Sequence, residues 1–169
     1  MVIVIFNKSF DSGEFPAQWK VANVSPIHKK GDTSVVSNYR PVSLLSCVSK
    51  VQERIIFRRL YDYCIDNNLL TWRNSGFKKL DSAMNQLLHI SHKINVDLEQ
   101  GNEICLIFLD ISKAFDKVWH DGLLYKLKCK GISGRLFDWF CSYLCGRKQR
   151  VVINGQSSGL LDLNAGVPQ

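Results

Sequence analysis

The spacing of apolar and polar positions divides the chain into a short series of elements. Residues 1–45 read as a short helix and loop followed by extended segments. Residues 21–27 have strand character, Lys29, Lys30, Gly31 and Asp32 form a basic turn, and Tyr39, Arg40 and Pro41 lead into a second extended stretch over 42–45. From 46 to 67, Val48, Val51, Ile55, Ile56, Leu60, Tyr63 and Cys64 recur at helical spacing with Lys50, Arg54, Arg58 and Arg59 between them. This predicts a basic amphipathic helix with those apolar side chains inward. A second helix is expected over 81–99, capped by Asp81, with Met84, Leu87, Leu88, Ser91, Ile94 and Leu98 on one face and Gly101 and Asn102 ending it.

Ile104, Cys105, Leu106, Ile107, Phe108 and Leu109 form an unbroken apolar run that stops at Asp110, the pattern of a strand buried on both faces at the centre of a sheet. Two short helices are expected next, one through Leu123, Leu124 and Leu127 and one through Leu136, Phe137, Phe140, Tyr143 and Leu144, separated by Gly131 and Gly134. Residues 149–153, the Asn154–Gly155 pair and residues 159–163 then predict a β-hairpin. There is no internal repeat and no low-complexity tract, so the chain reads as one unit.

Charge adds a partner class. Lysines and arginines number 22 against 15 acids, a net charge of +7. Residues 1–80 carry 12 basic and 6 acidic side chains, residues 81–169 carry 10 and 9, so a polyanion is gripped mainly by the first half. No apolar run approaches the ~20 residues that cross a bilayer, and the opening six residues lack the basic flank of a signal peptide. An intracellular protein without a membrane contact is expected.

An acid at the end of a buried strand is held where ligand sites form in sheet architectures. Three chemistries use such an acid: metal-assisted phosphoryl transfer, phospho-acceptor switching and aspartyl-phosphate hydrolysis. The hydrolase needs a second acid two residues on, where Ser112 stands, and the switch needs an earlier acidic pair, which is absent. Pattern alone leaves Asp110 open between a site and a structural cap.

The neighbouring residues carry a resemblance. FLDISKAFDKVWH resembles the first catalytic motif of reverse transcriptases in the form used by non-LTR (LINE-like) retrotransposons. VSPIHKKGD followed by NYRPVSLL resembles that family's fingers segment, and AGVPQ resembles the start of a motif that continues with Gly-Ser. Three blocks in the expected order, spanning nearly the whole chain, are far more specific than a hydrophobic run ending in Asp. The resemblance implies an α+β fold: the fingers (about 1–100) and the start of the palm (about 101–169) of a right-hand polymerase, stopping before the catalytic Asp-Asp hairpin and the thumb.

It also implies roles. Asp110 would bind both catalytic magnesium ions, helped by the backbone carbonyl of Ile111. Phe115 would lie under the incoming sugar and exclude a ribose 2′-hydroxyl. Lys29 or Lys30, with Arg40, would close on the triphosphate, a guanidinium suiting bidentate capture. Gln169 would touch nucleotide and template. Arg54, Arg58, Arg59, Arg73, Lys78 and Lys79 are weaker candidates for tracking template phosphates. Asp116, Trp119 and His120 belong to the motif and read as packing and capping groups. The implied activity is RNA-directed DNA synthesis on an RNA template with a DNA primer and deoxynucleoside triphosphates.

The sequence departs from that pattern twice. In RNSGFKKLDSAMNQLL, Leu80, Asp81 and Ser82 replace a Gly-Arg-Ser/Thr-like turn, which weakens the template inference there. No two adjacent aspartates occur in residues 1–169, so one acid of three is present, and one carboxylate does not hold two divalent ions against their repulsion. This chain alone is expected to be inactive and marginally stable. The alternative is a non-catalytic nucleic-acid-binding remnant, and a phospho-acceptor switch ranks last.

Cys47, Cys64, Cys105, Cys129, Cys141 and Cys145 lie in apolar, periodic segments and are expected to be reduced packing residues. Cys141 and Cys145 with His89 and His92 are the sharper alternative, a zinc site, but no CxxC supports it. Purified protein should therefore contain no zinc by elemental analysis; one equivalent per chain would contradict the packing reading.

Overall fold

A computed structural model describes residues 2–168, which fall into two compact units: Arg59–Ile111, and the segments before and after it. Gln169 lies outside the described residues.

The larger unit is mixed α/β. Helix α1 (Val2–Ser12) leads through a single 3-10 turn (Ala17–Trp19) into β1 (Val21–His28), which pairs antiparallel with β2 (Tyr39–Leu44). Helix α2 (Cys47–Asp66) begins in this unit and ends in the other. After the intervening unit come α4 (His120–Cys129) and α5 (Gly134–Leu144), then β3 (Arg147–Ile153), β4 (Gln156–Ser157) and β5 (Leu161–Leu163). The sheet order is β2-β1-β3-β4, with β5 also on β3. β1 and β3 pair in parallel, Asn23 opposite Arg150, and the Arg150 Nε donates to the Asn23 side-chain oxygen at 2.8 Å. The β3–β4 turn is the expected Asn154–Gly155 pair, both at positive φ (49° and 80°), the geometry that suits the twist of a two-residue hairpin.

The core of this unit is aromatic. Phe15, Ile56 and Trp139 are buried, with Phe10, Trp19, Leu136, Phe140 and Tyr143 packed round them. Phe15 meets Trp139 edge-on at 5.3 Å and Tyr143 at 5.0 Å, while Tyr143 stacks on Trp139 at 5.3 Å. Such pairs add about 0.5–1.5 kcal/mol each beyond the area they bury. Hydrogen bonds tie the opening segment to α5: Trp139 Nε1 donates to Ser9 Oγ at 3.0 Å, and the Phe15 amide donates to Ser142 Oγ at 3.0 Å.

Arg147, 1% exposed, enters this cluster from the first residue of β3. Its guanidinium lies 4.7 Å from the Tyr143 ring and 5.7 Å from the Phe15 ring, and Nη1 donates to the Tyr143 carbonyl at 3.1 Å. Tyr143 donates its hydroxyl to Glu53 Oε2 at 3.3 Å. Burial, reinforced by the Glu53 charge, pushes the tyrosine pKa up to about 12. The remaining Arg147 Nε and Nη2, both side-chain ends of the buried Gln52 and Glu53 Oε1 have no hydrogen-bond partner among the described residues.

The structure corrects several expectations. Residues 104–109 form no strand: they make no ladder pairing, and Phe108 and Leu109 are 84% and 92% exposed. An apolar run becomes a central strand only when other strands satisfy its backbone on both edges. The unit that contains it has only helices, the end of α2 and α3 (Ala83–Glu99), so no partner is present there. The centre of the sheet belongs instead to β1 and β3.

Helix α2 has the expected limits and buries part of the expected stripe: Ile56 is buried and Val48, Leu60 and Cys64 are half-buried, whereas Val51, Ile55 and Tyr63 are exposed and the polar Ser49 and Gln52 are buried instead. Helix α3 is capped by Ser82, whose Oγ accepts from the Asn85 amide, while Asp81 accepts from the Ser82 amide. Its apolar stripe is helical in spacing yet Met84, Leu87, Leu88 and Leu98 stay exposed, because no second layer covers them in that unit. The cysteines are free but not buried: Cys47, Cys105, Cys129 and Cys145 are exposed and Cys64 and Cys141 half-buried, sitting on faces left uncovered.

Burial raises the Glu53 pKa against the pull of Arg147 and the hydrogen bond from Tyr143. The folded state therefore holds this proton at pH values where the unfolded chain has released it. The resulting stability is present below the ordinary carboxylate range and lost as pH rises through the raised value. Between roughly pH 4 and 7 the urea midpoint of the wild type should fall relative to that of Glu53→Gln. Parallel midpoints, or a relative rise, would contradict the assignment.

Candidate nucleotide and nucleic-acid site

The cations of the basic turn come together at one end of the β1–β2 hairpin. Arg40 sits opposite Ile27 and Tyr39 opposite His28, so Lys29 and Lys30 leave β1 close to where Arg40 enters β2. The intervening loop is knitted from within. The Lys29 amide donates to the Asn38 carbonyl at 2.8 Å, Asn38 Nδ2 to the Asp32 carbonyl at 2.8 Å and the Tyr39 hydroxyl to the Thr33 carbonyl at 2.8 Å. Asp32, the acid of the loop, is occupied by the Ser34 amide at 2.8 Å, which holds its carboxyl below the usual range. Lys29, Lys30 and Arg40 are exposed and form no ion pair among the described residues. Three cations against the one acid Asp32 leave this ordered loop positive, which favours an anionic partner.

A second arrangement surrounds Phe115. Residues 112–117 form a turn held by the Asp116 and Lys117 amides on the Lys113 carbonyl at 3.1 and 3.2 Å, with Lys113 itself at φ 55°. Phe115 is 39% exposed. Residues 165–167 lie along this turn: the Gly166 amide donates to the Val118 carbonyl at 2.8 Å and the Val167 amide to the Phe115 carbonyl at 2.9 Å. Gly166 is required there twice over. It stands at φ 83°, and a Cβ would lie 2.8 Å from the Asp116 carbonyl oxygen. The AGVPQ block and the Phe115 motif, read separately in the sequence, are thus one backbone assembly.

Sequence reasoning missed the third member. His120, read as a packing group, places Nε2 2.7 Å from the Gly166 carbonyl. A carbonyl only accepts, so Nε2 carries the proton. Trp119, also read as packing, is 71% exposed; its ring lies over Gly122 in the first turn of α4, where a Cβ would be 2.3 Å from the ring. The periodicity gave no signal for either, since both contacts depend on chain segments distant in sequence or on a missing side chain.

Asp110 and Ile111 belong to the unit Arg59–Ile111 and Phe115 to the other. Asp110 is exposed in the same unpaired segment as the apolar run before it, so the anchoring by a rigid strand expected for it is absent. Among the described residues no group of three or more His, Cys, Asp or Glu side chains could hold a metal ion. The residues present do not by themselves fit a pair of magnesium ions, which require several hard carboxylate oxygens.

The weaker candidates are dispersed. Arg54 and Arg58 share one exposed face of α2, and Arg59 is exposed. Arg73 lies over the Trp72 ring at 5.2 Å. Lys79 is engaged, pairing with Asp62 at 3.3 Å and lying 4.6 Å from the Tyr61 ring, while Lys78 is half-buried. No helix among the described residues is long and apolar enough to cross a membrane.

Comparison with known proteins gives these arrangements a family. Residues 27–169 match the family described as reverse transcriptase (RNA-dependent DNA polymerase). The chain is 36% identical over 167 residues, 98% of its length, to the RNA-directed DNA polymerase from mobile element jockey of Drosophila melanogaster. It is 35% identical over 167 residues, again 98% of its length, to the probable RNA-directed DNA polymerase from transposon BS of the same species. It is 28% identical over 121 residues, 72% of its length, to a Pol polyprotein from the type-1 retrotransposable element R2 of Popillia japonica. The chain spans 18% of the length of the first two relatives and 16% of the third. With the matched region covering both the hairpin cations and the Phe115 assembly, the chain belongs to the reverse transcriptase family, among the RNA-directed DNA polymerases of non-LTR retrotransposons.

Proposed function

We propose that this chain is the fingers and the beginning of the palm of an RNA-directed DNA polymerase, and that it supplies the nucleotide-binding side of that enzyme. The observation that carries the reading is the trio Lys29, Lys30 and Arg40 on an ordered hairpin end, three cations against the single acid Asp32. A triphosphate bears several negative charges on closely spaced oxygens; a guanidinium meets two of them at once and the ammonium groups add point charges. Phe115, carried on a turn bonded to residues 166 and 167, would provide the flat surface under the sugar that disfavours a 2′-hydroxyl. Gln169, which the resemblance gives as a contact to nucleotide and template, keeps that proposed role. The exposed Arg54, Arg58 and Arg59 would meet template phosphates, with Arg73, Lys78 and Lys79 in lesser roles.

Magnesium is the cofactor this family's chemistry calls for, and Asp110, with the Ile111 carbonyl, is this chain's contribution to its binding. One exposed carboxylate does not hold two ions, and residues 1–169 contain no adjacent pair of aspartates. Polymerisation is therefore assigned to a protein that supplies the other acids, not to residues 1–169 acting alone. The same observation favours a second reading, a non-catalytic remnant that binds nucleic acid through its basic first half.

Two measurements separate these. Purified chain supplied with RNA template, DNA primer, deoxynucleoside triphosphates and magnesium should extend no primer; templated extension would refute the incomplete-site argument. In fluorescence titrations with a labelled deoxynucleoside triphosphate, wild type should bind and Arg40→Ala should bind about tenfold more weakly. Salt-dependent RNA binding without any triphosphate binding, unchanged by Asp110→Ala, would favour the remnant instead.

A further inference from the structure

We propose that His120 is a positioning residue for nucleotide selection: by holding the Gly166 carbonyl it sets where the Phe115 turn lies. The proposal rests on the reading of Phe115 as the sugar contact. Residues 112–117 bury no side chain, and Lys113 adopts a left-handed φ that a lysine does not favour. A turn of this kind keeps one conformation only if its surroundings determine it.

Residues 166 and 167 are part of those surroundings. Two of the contacts are main-chain bonds, Gly166 amide to Val118 carbonyl and Val167 amide to Phe115 carbonyl, which many sequences can make. The third is specific, the His120 Nε2 donating to the Gly166 carbonyl at 2.7 Å. His120 is the first residue of α4, and α4 packs on α5, which carries the buried Trp139 and Leu144. A continuous mechanical path therefore runs from the aromatic core through α5 and α4 to His120, the Gly166 carbonyl, the Val167 amide and the Phe115 backbone. Gly166 makes the path tight, because the segment approaches Asp116 too closely for any side chain. A pocket that rejects a single hydroxyl depends on its bulky group being placed to within a fraction of an ångström. His120 grips the segment by a directed side-chain bond.

The test uses the whole chain with two substitutions, His120→Leu, which removes the donor, and His120→Gln, which keeps an amide N–H within similar reach. In the leucine variant the Gly166 and Val167 amides should exchange about tenfold faster while the Val24 amide in β1 keeps its rate, and the glutamine variant should restore both. The preference for dATP over ATP in binding titrations should fall several-fold in the leucine variant and return with glutamine. Unchanged exchange at Gly166 and Val167, no rescue by glutamine, or equal acceleration at Val24 would each overturn the proposal, the last by making His120 a general core residue. If the wild type fails to distinguish dATP from ATP while the exchange pattern is as expected, the sugar-contact reading falls and the role in selection with it. Should the leucine variant not fold, nitrogen-15 spectra of wild-type His120 decide: a protonated Nε2 is required, and a bare Nε2 overturns the proposal.

Discussion

A guanidinium held among aromatic rings is the constraint on which the larger unit depends. Moving Arg147 out of water costs several kcal/mol unless its charge is met inside. It is met in part, by the Tyr143 carbonyl and the faces of Tyr143 and Phe15, with the Glu53 carboxyl favouring the charged form, and these groups come from the opening segment, α5 and α2. None of those partners compensates the charge if its own element is displaced. Arg147 is also the first residue of β3, whose next residues pair with β1. One buried side chain thereby ties the helices to the central strands of the sheet, and the sheet in turn presents the β1–β2 hairpin with its three cations.

Most elements were legible because their signals are local. Strand β1, the basic turn, both short helices and the Asn154–Gly155 hairpin follow from periodicity and turn chemistry. What failed was inference about burial. Residues 104–109 have the composition of a central strand, but a strand is made by its neighbours and the unit Arg59–Ile111 offers none. Val51 and Ile55 lie outside while Ser49, Gln52 and Ile56 turn inward, and the contact that fixes Glu53 beside them is the Tyr143 hydroxyl, ninety residues away. Periodicity finds a helix; it does not find the partner that decides which side is buried.

The candidate site divides the same way. Resemblance to known motifs singled out Lys29, Lys30, Arg40 and Phe115, and the structure supplies what residue type alone does not. The cations share one hairpin end, and the Phe115 turn is bonded to the AGVPQ block. The role of His120 in that assembly was invisible because its partner is a backbone carbonyl 46 positions later in the chain. Asp110, the most specific residue of the motif, is the least determined by the structure, since nothing in its own unit pairs with the segment that carries it. The proposed nucleotide contacts thus lie on hydrogen-bonded segments, and the proposed metal ligand on a segment with no strand partner.

Amide hydrogen exchange mapped along the intact chain tests this division most directly. The account predicts the slowest exchange in β1, α5 and the β1-paired part of β3, and exchange close to that of unstructured peptide across residues 104–111. Protection of residues 104–109 equal to that of β1 would contradict it, because that run would then be a paired strand and Asp110 an anchored group.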